Sequence, residues 1–390
     1  LITRNSVEGA FPVTKLGSVV NFLDSKRRPI TESERIAGPY PYYGANGVQG
    51  NIDSYIFDEP LVLLAEDGGH FDDPRRGIAY RISGKTWVNN HAHVLQPKHG
   101  LDLAFLCRVL ENYDVKPFVT GTTRGKLTKA GASEILIPMP PLEEQRRIAA
   151  ILDQADALRA KRREALVQLD SLAQSIFYEM FGDPILNDRS WPFAEVSDFV
   201  AGFESGKSIV ADDEEESTSP YRVLKISAVT SLEYKPEHSK AIPAQYLVPE
   251  SHIVRKGDLL FSRANTTELI GATAFVNETP DNLLLPDKLW RFVWFDKPRA
   301  APLYVRQLFQ QMRFRYEIGM RASGSSGSMQ NISQKKVLSI MVGNPPLELQ
   351  KIFSARVEAI QAIKSNHRLA LIKLEALFNS LQYRAFRGEL

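Results

Sequence analysis

PPLEEQRRIAAILDQADALRA runs from Pro140 to Ala160, and PPLELQKIFSARVEAIQAIKS from Pro345 to Ser365. The two stretches begin 205 residues apart, and the match continues without gaps for over forty residues. Leu152 falls on Val357, Leu166 on Leu371, Leu169 on Leu374, Tyr178 on Tyr383 and Phe181 on Phe386. Loose identity at constant length means that a length is being kept, and an internal repeat decides the architecture before any other feature does.

Each copy reads as a long helix. Pro140-Pro141 suits a helix start, because the missing proline N–H has no partner in a first turn. Glu143 and Glu144 then lie at the positive end of the dipole, and Gly182 with Pro184 stops the helix. Apolar residues recur at steps of four and three: Ile148, Leu152, Ala155, then Leu166, Leu169, Ala173, Ile176, Met180. The second copy has Phe353, Val357, Ile360, then Leu371, Leu374, Phe378, Leu381, Ala385. The gap holds Arg159 and Arg162 in one copy and Lys364 and His367, at the same positions, in the other. A seam broken at a shared polar mid-point predicts a coiled coil with a loose middle. A third apolar column, Ile151, Leu158, Ala165 and Leu172 in one helix and Ile363, Ala370 and Leu377 in the other, exceeds what a two-helix seam needs. It fits either packing on flanking domains or docking of partner helices.

Residues 1–139 and 185–344 repeat one pattern around these helices. Each opens on an aromatic-proline pair, Phe11-Pro12 and Trp191-Pro192. Strand-like runs follow, LVLLAEDGG, GIAYRIS and TWVNNHAHVLQ in the first, YRVLKISAVT, HIVRKGDLLFSRA, GATAFVNE and KLWRFVWF in the second. Each then has one helical stretch, DLAFLCRVLENY or APLYVRQLFQQMRFRYEIG, a polar Gly/Thr/Ser loop, and a short strand leading into Pro-Pro. The expected fold is α+β: two mixed α/β domains, 1–139 and 185–344, separated by two helices, 140–184 and 345–390. Connectivity makes the helix pair an antiparallel coiled coil with a pseudo-two-fold axis, a ruler between two heads. The basic mid-points must then turn outward or find carboxylates.

Composition excludes several classes. The apolar fraction of 43% supports real cores, and the charged fraction of 24% is ordinary for a globular protein. No apolar run reaches ~18 residues, so no membrane span is expected. The start, LITRNSVEGAFP, lacks the layout of a secretion signal, and its lack of methionine suggests a trimmed or alternative start. The single cysteine, Cys107, rules out an intrachain disulfide and suits a reducing cytoplasm. A net charge of +2 leaves any nucleic-acid contact to local loops.

The repeated PPLEEQ and PPLELQ starts, FGDP at 181–184, and AFRGEL at 385–390 resemble the specificity subunit of type I restriction-modification enzymes along essentially the whole chain. YPYYGANGVQG and WVNNHAHVL in the first domain, and GDLLFSRAN and GSSGSMQNIS in the second, are similar to that family's target-recognition motifs. The resemblance implies a noncatalytic subunit without cofactor. It also implies two target-recognition domains on double-stranded DNA, a bipartite site with an unread spacer, two methyltransferase (modification) subunits and, through them, restriction subunits. The rival reading is a stand-alone two-headed DNA-binding regulator.

Motifs that suggest enzymes fall short. GFESGKS, from Gly202, has three residues between its glycines where a phosphate loop needs four, and the acidic ADDEEESTSP follows instead of a helix. Asn344-Pro-Pro-Leu lacks the aromatic residue of an amino-methyltransferase tetrapeptide and reads as a helix start. PDNLLLPDK at 280–288 lacks a nuclease's acidic-x-Lys spacing. His91 and His93 have no third ligand at a telling spacing, so a polar strand face is expected and no metal.

The DNA-contact candidates rest on chemistry. Thr122, Thr123, Arg124 and Lys126 put hydroxyls and cations on a glycine loop, suited to phosphates and guanine. Ser325, Ser326, Gln330 and Asn331 occupy the second loop, where amides suit adenine edges. Tyr42, Tyr43 and Asn46 in the first domain, and Arg263 and Asn265 in the second, complete the set. Ile151, Leu158, Leu172, Ile363 and Leu377 are the candidates for partner docking.

Overall fold

The structure, a computed structural model, describes residues 11–73, 76–121, 125–209, 218–324 and 329–390. Helices cover Leu142–Phe181 and Leu347–Arg387, 40 and 41 residues, each about 60 Å long. Gly182 ends the first in a left-handed conformation (φ +71°), its N–H bonded to the Tyr178 carbonyl. Two compact units form, Leu1–Glu164 with His367–Leu390, and Ala165–Asn366, so each unit owns a part of both helices. Among the described residues no helix is long and apolar enough to cross a membrane.

The first unit is built on an antiparallel sheet of Val20–Phe22, Ala92–Pro97, Leu61–Ala65 and Ala79–Ile82, in that spatial order. A second sheet orders Gly47–Ile52, Tyr40–Gly44, Lys85–Val88 and Phe57–Asp58, with Tyr40–Gly44 and Lys85–Val88 parallel. Leu61–Ala65 is buried throughout, as its unbroken apolar run requires. Helix Leu103–Leu110, capped by the Asp102 carboxylate on the Phe105 N–H, packs its apolar face into the core. That core takes Ile148, Leu152 and Ala155 from one long helix and Phe378, Ala385 and Phe386 from the other. Inside this unit the helices are antiparallel: Arg147 donates to the Leu390 carbonyl (3.1 Å), and the Arg159 guanidinium lies over the Phe378 ring (4.2 Å). Arg108 joins the layers, bonded to Glu111 and to Asp153 and Asp156 on the first long helix.

The second unit repeats the plan. Its antiparallel sheet orders Gly202–Ser205, Leu289–Val293, Leu259–Ser262 and Thr273–Phe275, first, fourth, second and third in the chain, as in the first unit. Its second sheet orders Ser239–Ala241, Arg222–Leu224 and Leu283–Leu284, again with one parallel pair. Phe177, Phe181, Phe353 and Tyr304 form an aromatic knot between the helices and the layer, with ring centroids 5.0–5.6 Å apart. The helices are antiparallel here too, since Phe353 meets Phe181 while Lys364 pairs with Asp170.

Two of the polar mid-point residues find carboxylates. Arg159 bonds Asp156 (3.1 Å), and buried Lys364 bonds Asp170 and Glu233. Arg162 instead lies beside His367 (3.4 Å). The stretch read as one helix, 301–319, is two, Pro302–Gln310 and Met312–Arg321, because Gln311 is extended (ψ 136°). TWVNNHAHVLQ likewise makes two strands rather than one, and YRVLKISAVT ends in a 3-10 turn, Ile226–Ala228. GFES, at Gly202–Ser205, is a sheet strand, and a side chain at Gly206 would collide with the Leu285 carbonyl. The acidic stretch 212–216 lies outside the described residues.

Candidate nucleic-acid interface and helix docking face

In the first unit, Tyr40–Gly44 and Gly47–Ile52 pair as a hairpin whose two-residue turn is Ala45 and Asn46. Gly47, just after the turn, has a positive φ (+107°), a conformation that favours glycine. Asn46 is exposed at the tip, its amide donating to the Gly68 carbonyl (2.9 Å). Tyr42 does not join it. It is 1% exposed, packs with Ile52 and Trp87, and its hydroxyl bonds the Ile30 backbone, so it belongs to the core. Strand alternation places it opposite the half-buried Tyr43, which leans on Tyr80 (5.8 Å). Lys126 stands on strand Lys126–Leu127, which pairs with Val119–Thr120 and bridges Asp67. Through Asp67 and Gly68 the structure therefore brings Asn46 and Lys126 onto one edge. Thr122, Thr123 and Arg124 lie outside the described residues.

Charge is organised beneath that edge. Arg27 bonds Glu66 (2.6 Å), and the other Glu66 oxygen takes the Lys126 ammonium (3.0 Å). His93, 1% exposed, meets Asp24 at Nδ1 (2.7 Å) and the Leu127 carbonyl at Nε2 (2.8 Å). Burial pushes the Asp24 carboxyl up. The hydrogen bond and charge of His93, the Val94 N–H and Arg27 outweigh it and hold the group below its ordinary range. Glu66 is depressed in the same way, burial opposed by Arg27, Lys126 and His93. Asp24, Glu66 and His93 offer ligand atoms within 4.8 Å of one another. A cation would have to compete with Arg27 for both carboxylates and with the Leu127 carbonyl for Nε2. His91 pairs separately with Asp67 (2.5 Å). The two histidines thus do not share a polar strand face, since His91 precedes the strand and His93 is buried.

In the second unit the two candidate segments meet directly. Ala264–Asn265 pairs with Gln330–Asn331, Asn265 opposite Gln330. Asn265 and both amides are partly exposed. The Ile332 N–H donates to the Arg263 carbonyl (3.1 Å), and the Arg263 side chain donates to the Asp287 carbonyl (2.8 Å). Ser325 and Ser326 lie outside the described residues.

The third helix column remains uncovered. Leu158 is 48% exposed and Leu377 49% in the first unit; Leu172 is 41% and Ile363 45% in the second. Ile151 is half-buried. The Arg159–Phe378 contact sets the register in the first unit, and Leu158 and Leu377 each stand one residue from it.

Two glutamines went unnoticed in the sequence reading. Gln145 and Gln350 are fully buried at the same place in the two repeats. Gln145 accepts from the Asp102 N–H and donates to the Gly100 and Pro140 carbonyls (2.8–3.0 Å). Gln350 accepts from the Ala301 N–H and donates to the Pro345 carbonyl (2.9–3.0 Å). Each fastens the start of a long helix to the start of the layer helix. A buried polar residue kept in both copies was the available signal.

Two α+β units of one topology, each closed onto an antiparallel helix pair, define a tandem recognition protein. Residues 10–168 match the family described as Type I restriction modification DNA specificity domain. A putative type I restriction enzyme specificity subunit of Haemophilus influenzae is 30% identical over 378 residues, covering 94% of this chain and 88% of that one. The EcoKI specificity subunit of Escherichia coli K12 is 27% identical over 348 residues, 80% of this chain and 74% of that one. The crystal structure of an M. genitalium type I S subunit shares the fold, with TM-score 0.60 at 14% identity over 97% of this chain and 96% of that one. The chain belongs to the family of type I restriction-modification specificity subunits, noncatalytic components of those enzymes.

Proposed function

We propose that this subunit chooses the DNA on which a type I restriction-modification complex acts. Residues 1–139 and 185–344 are its two target-recognition domains, each reading one half of a bipartite double-stranded site. The helices of 140–184 and 345–390 set the unread spacer and hold two methyltransferase subunits on the column of Ile151, Leu158, Leu172, Ile363 and Leu377. Restriction subunits join through those. Tyr43, Asn46 and Lys126, with the segment of Thr122, Thr123 and Arg124, face one half. Arg263, Asn265, Gln330 and Asn331, with Ser325 and Ser326, face the other.

One observation carries this reading: a single sheet topology, used twice, delivers unlike polar groups to corresponding edges. The first edge carries an ammonium and an amide, the second three amides. Identical heads on an antiparallel pair would read an inverted repeat; unlike heads read an asymmetric site. Mapping methylated bases in cells that express the subunit with its partners tests this. An asymmetric bipartite site is expected, and exchanging residues 185–344 for those of another family member should change one half. A palindromic site, or an exchange that alters both halves, would overturn it.

A further inference from the structure

We propose that His93 is a positioning residue for the first recognition domain: bonding through both ring nitrogens, it ties strand Lys126–Leu127 to Asp24 and so fixes Lys126 at the DNA. The inference rests on reading that domain as a DNA-binding unit. Nε2 lies 2.8 Å from the Leu127 carbonyl, which can only accept, so Nε2 carries a proton. Nδ1 lies 2.7 Å from an Asp24 oxygen and 3.7 Å from Glu66. One ring nitrogen thus serves Asp24 and the other Leu127, on a ring buried under the edge that carries Lys126.

The rest of the cage acts on the same strand. The Leu127 N–H donates to the Glu66 carbonyl (2.7 Å), and the Glu66 carboxylate holds the Lys126 ammonium. Arg27 locks Glu66 and the Ala92 carbonyl (2.7 Å), and the Phe22 ring meets the imidazole edge-on (5.6 Å). Groups from three separate segments therefore converge on a two-residue strand whose ladder partner among the described residues is Val119–Thr120. So short a strand cannot hold its own position, and a recognition side chain is only as well placed as the groups behind it. In the second unit the corresponding strand is paired directly with Ala264–Asn265. Among the described residues, the histidine cage therefore belongs to the first unit.

The test uses the full chain purified with its methyltransferase subunits and a duplex carrying the mapped site. Lys126→Ala identifies the half-site read by the first domain, as the half whose scrambling no longer costs affinity. His93→Gln keeps a polar side chain of similar reach but cannot span Asp24 and Leu127 together. It should weaken binding roughly tenfold, the worth of one hydrogen bond to a charged group, and only through that half. In the double variant His93→Gln should add little to Lys126→Ala, because a positioning residue has nothing left to position. Effects that multiply, or fall equally on both halves, would reduce His93 to a packing role and overturn the proposal. A wild-type complex that selects no bipartite site would instead sink the reading beneath it.

Discussion

Leu158→Glu combined with Ile363→Glu tests the docking face at two equivalent places in the repeat. Both side chains are close to half exposed, at 48% and 45%. Full burial of such a residue is worth about 1.5–3 kcal/mol, so the exposed half offers a partner about 1 kcal/mol. A glutamate buried there without a hydrogen-bonding partner adds at least about 2 kcal/mol of desolvation. The sum, about 3 kcal/mol per partner, is more than a hundredfold in affinity. The isolated chain should scarcely notice. Surface substitutions usually stay within about 0.5 kcal/mol, glutamate forms helix nearly as well as leucine, and the carboxylate introduced in place of Leu158 would sit four residues before Arg162. The expected result is an unchanged helical signal and melting temperature with loss of both methyltransferase subunits, read as complex mass by light scattering. Each single substitution should remove one. A folded double variant that assembles at wild-type affinity would refute the docking face.

Gln145→Leu removes the three hydrogen bonds of a buried amide and leaves backbone groups without partners, a cost of about 3 kcal/mol. Hydrogen exchange should quicken in the first unit for Gln145→Leu and in the second for Gln350→Leu; exchange unaltered in either would contradict their role as fasteners. Asp24, Glu66 and Asp153 are carboxyls depressed in the folded state, all in the first unit. Their stabilisation is complete above the unfolded carboxylate range and is lost as pH falls through the lower folded values. Acid should therefore loosen the first unit around Asp24, Glu66 and Asp153, as hydrogen-exchange mass spectrometry across falling pH would report.

The helices and the order of elements were legible because both are periodic. A seam at steps of three and four, repeated at constant spacing, admits one interpretation, and of the two outcomes open to the shared polar mid-point, carboxylates were found by Arg159 and Lys364 while Arg162 and His367 came together. What stayed hidden depends on the third dimension. Tyr42 and Tyr43 are neighbours in sequence, and only the pairing of the strand decides which one faces the core. His93 carries no mark of its partners, because Asp24, Glu66 and Leu127 come from distant segments. The break at Gln311 has no proline or glycine to signal it. Gln145 could have been found, since an amide shared by two otherwise loose copies requires a buried reason.

The division of each long helix between two units has a consequence for synthesis. The second unit is one continuous stretch of chain, Ala165–Asn366, and can close as it leaves the ribosome. The first cannot. Phe378, Ala385 and Phe386 belong to its core, and they are made only after the whole second unit. At about 5–20 residues per second, the part of the Ile148, Leu152 and Ala155 face that these residues cover stays open for roughly 12 to 46 seconds. The half of the protein that is translated first is thus the half that matures last.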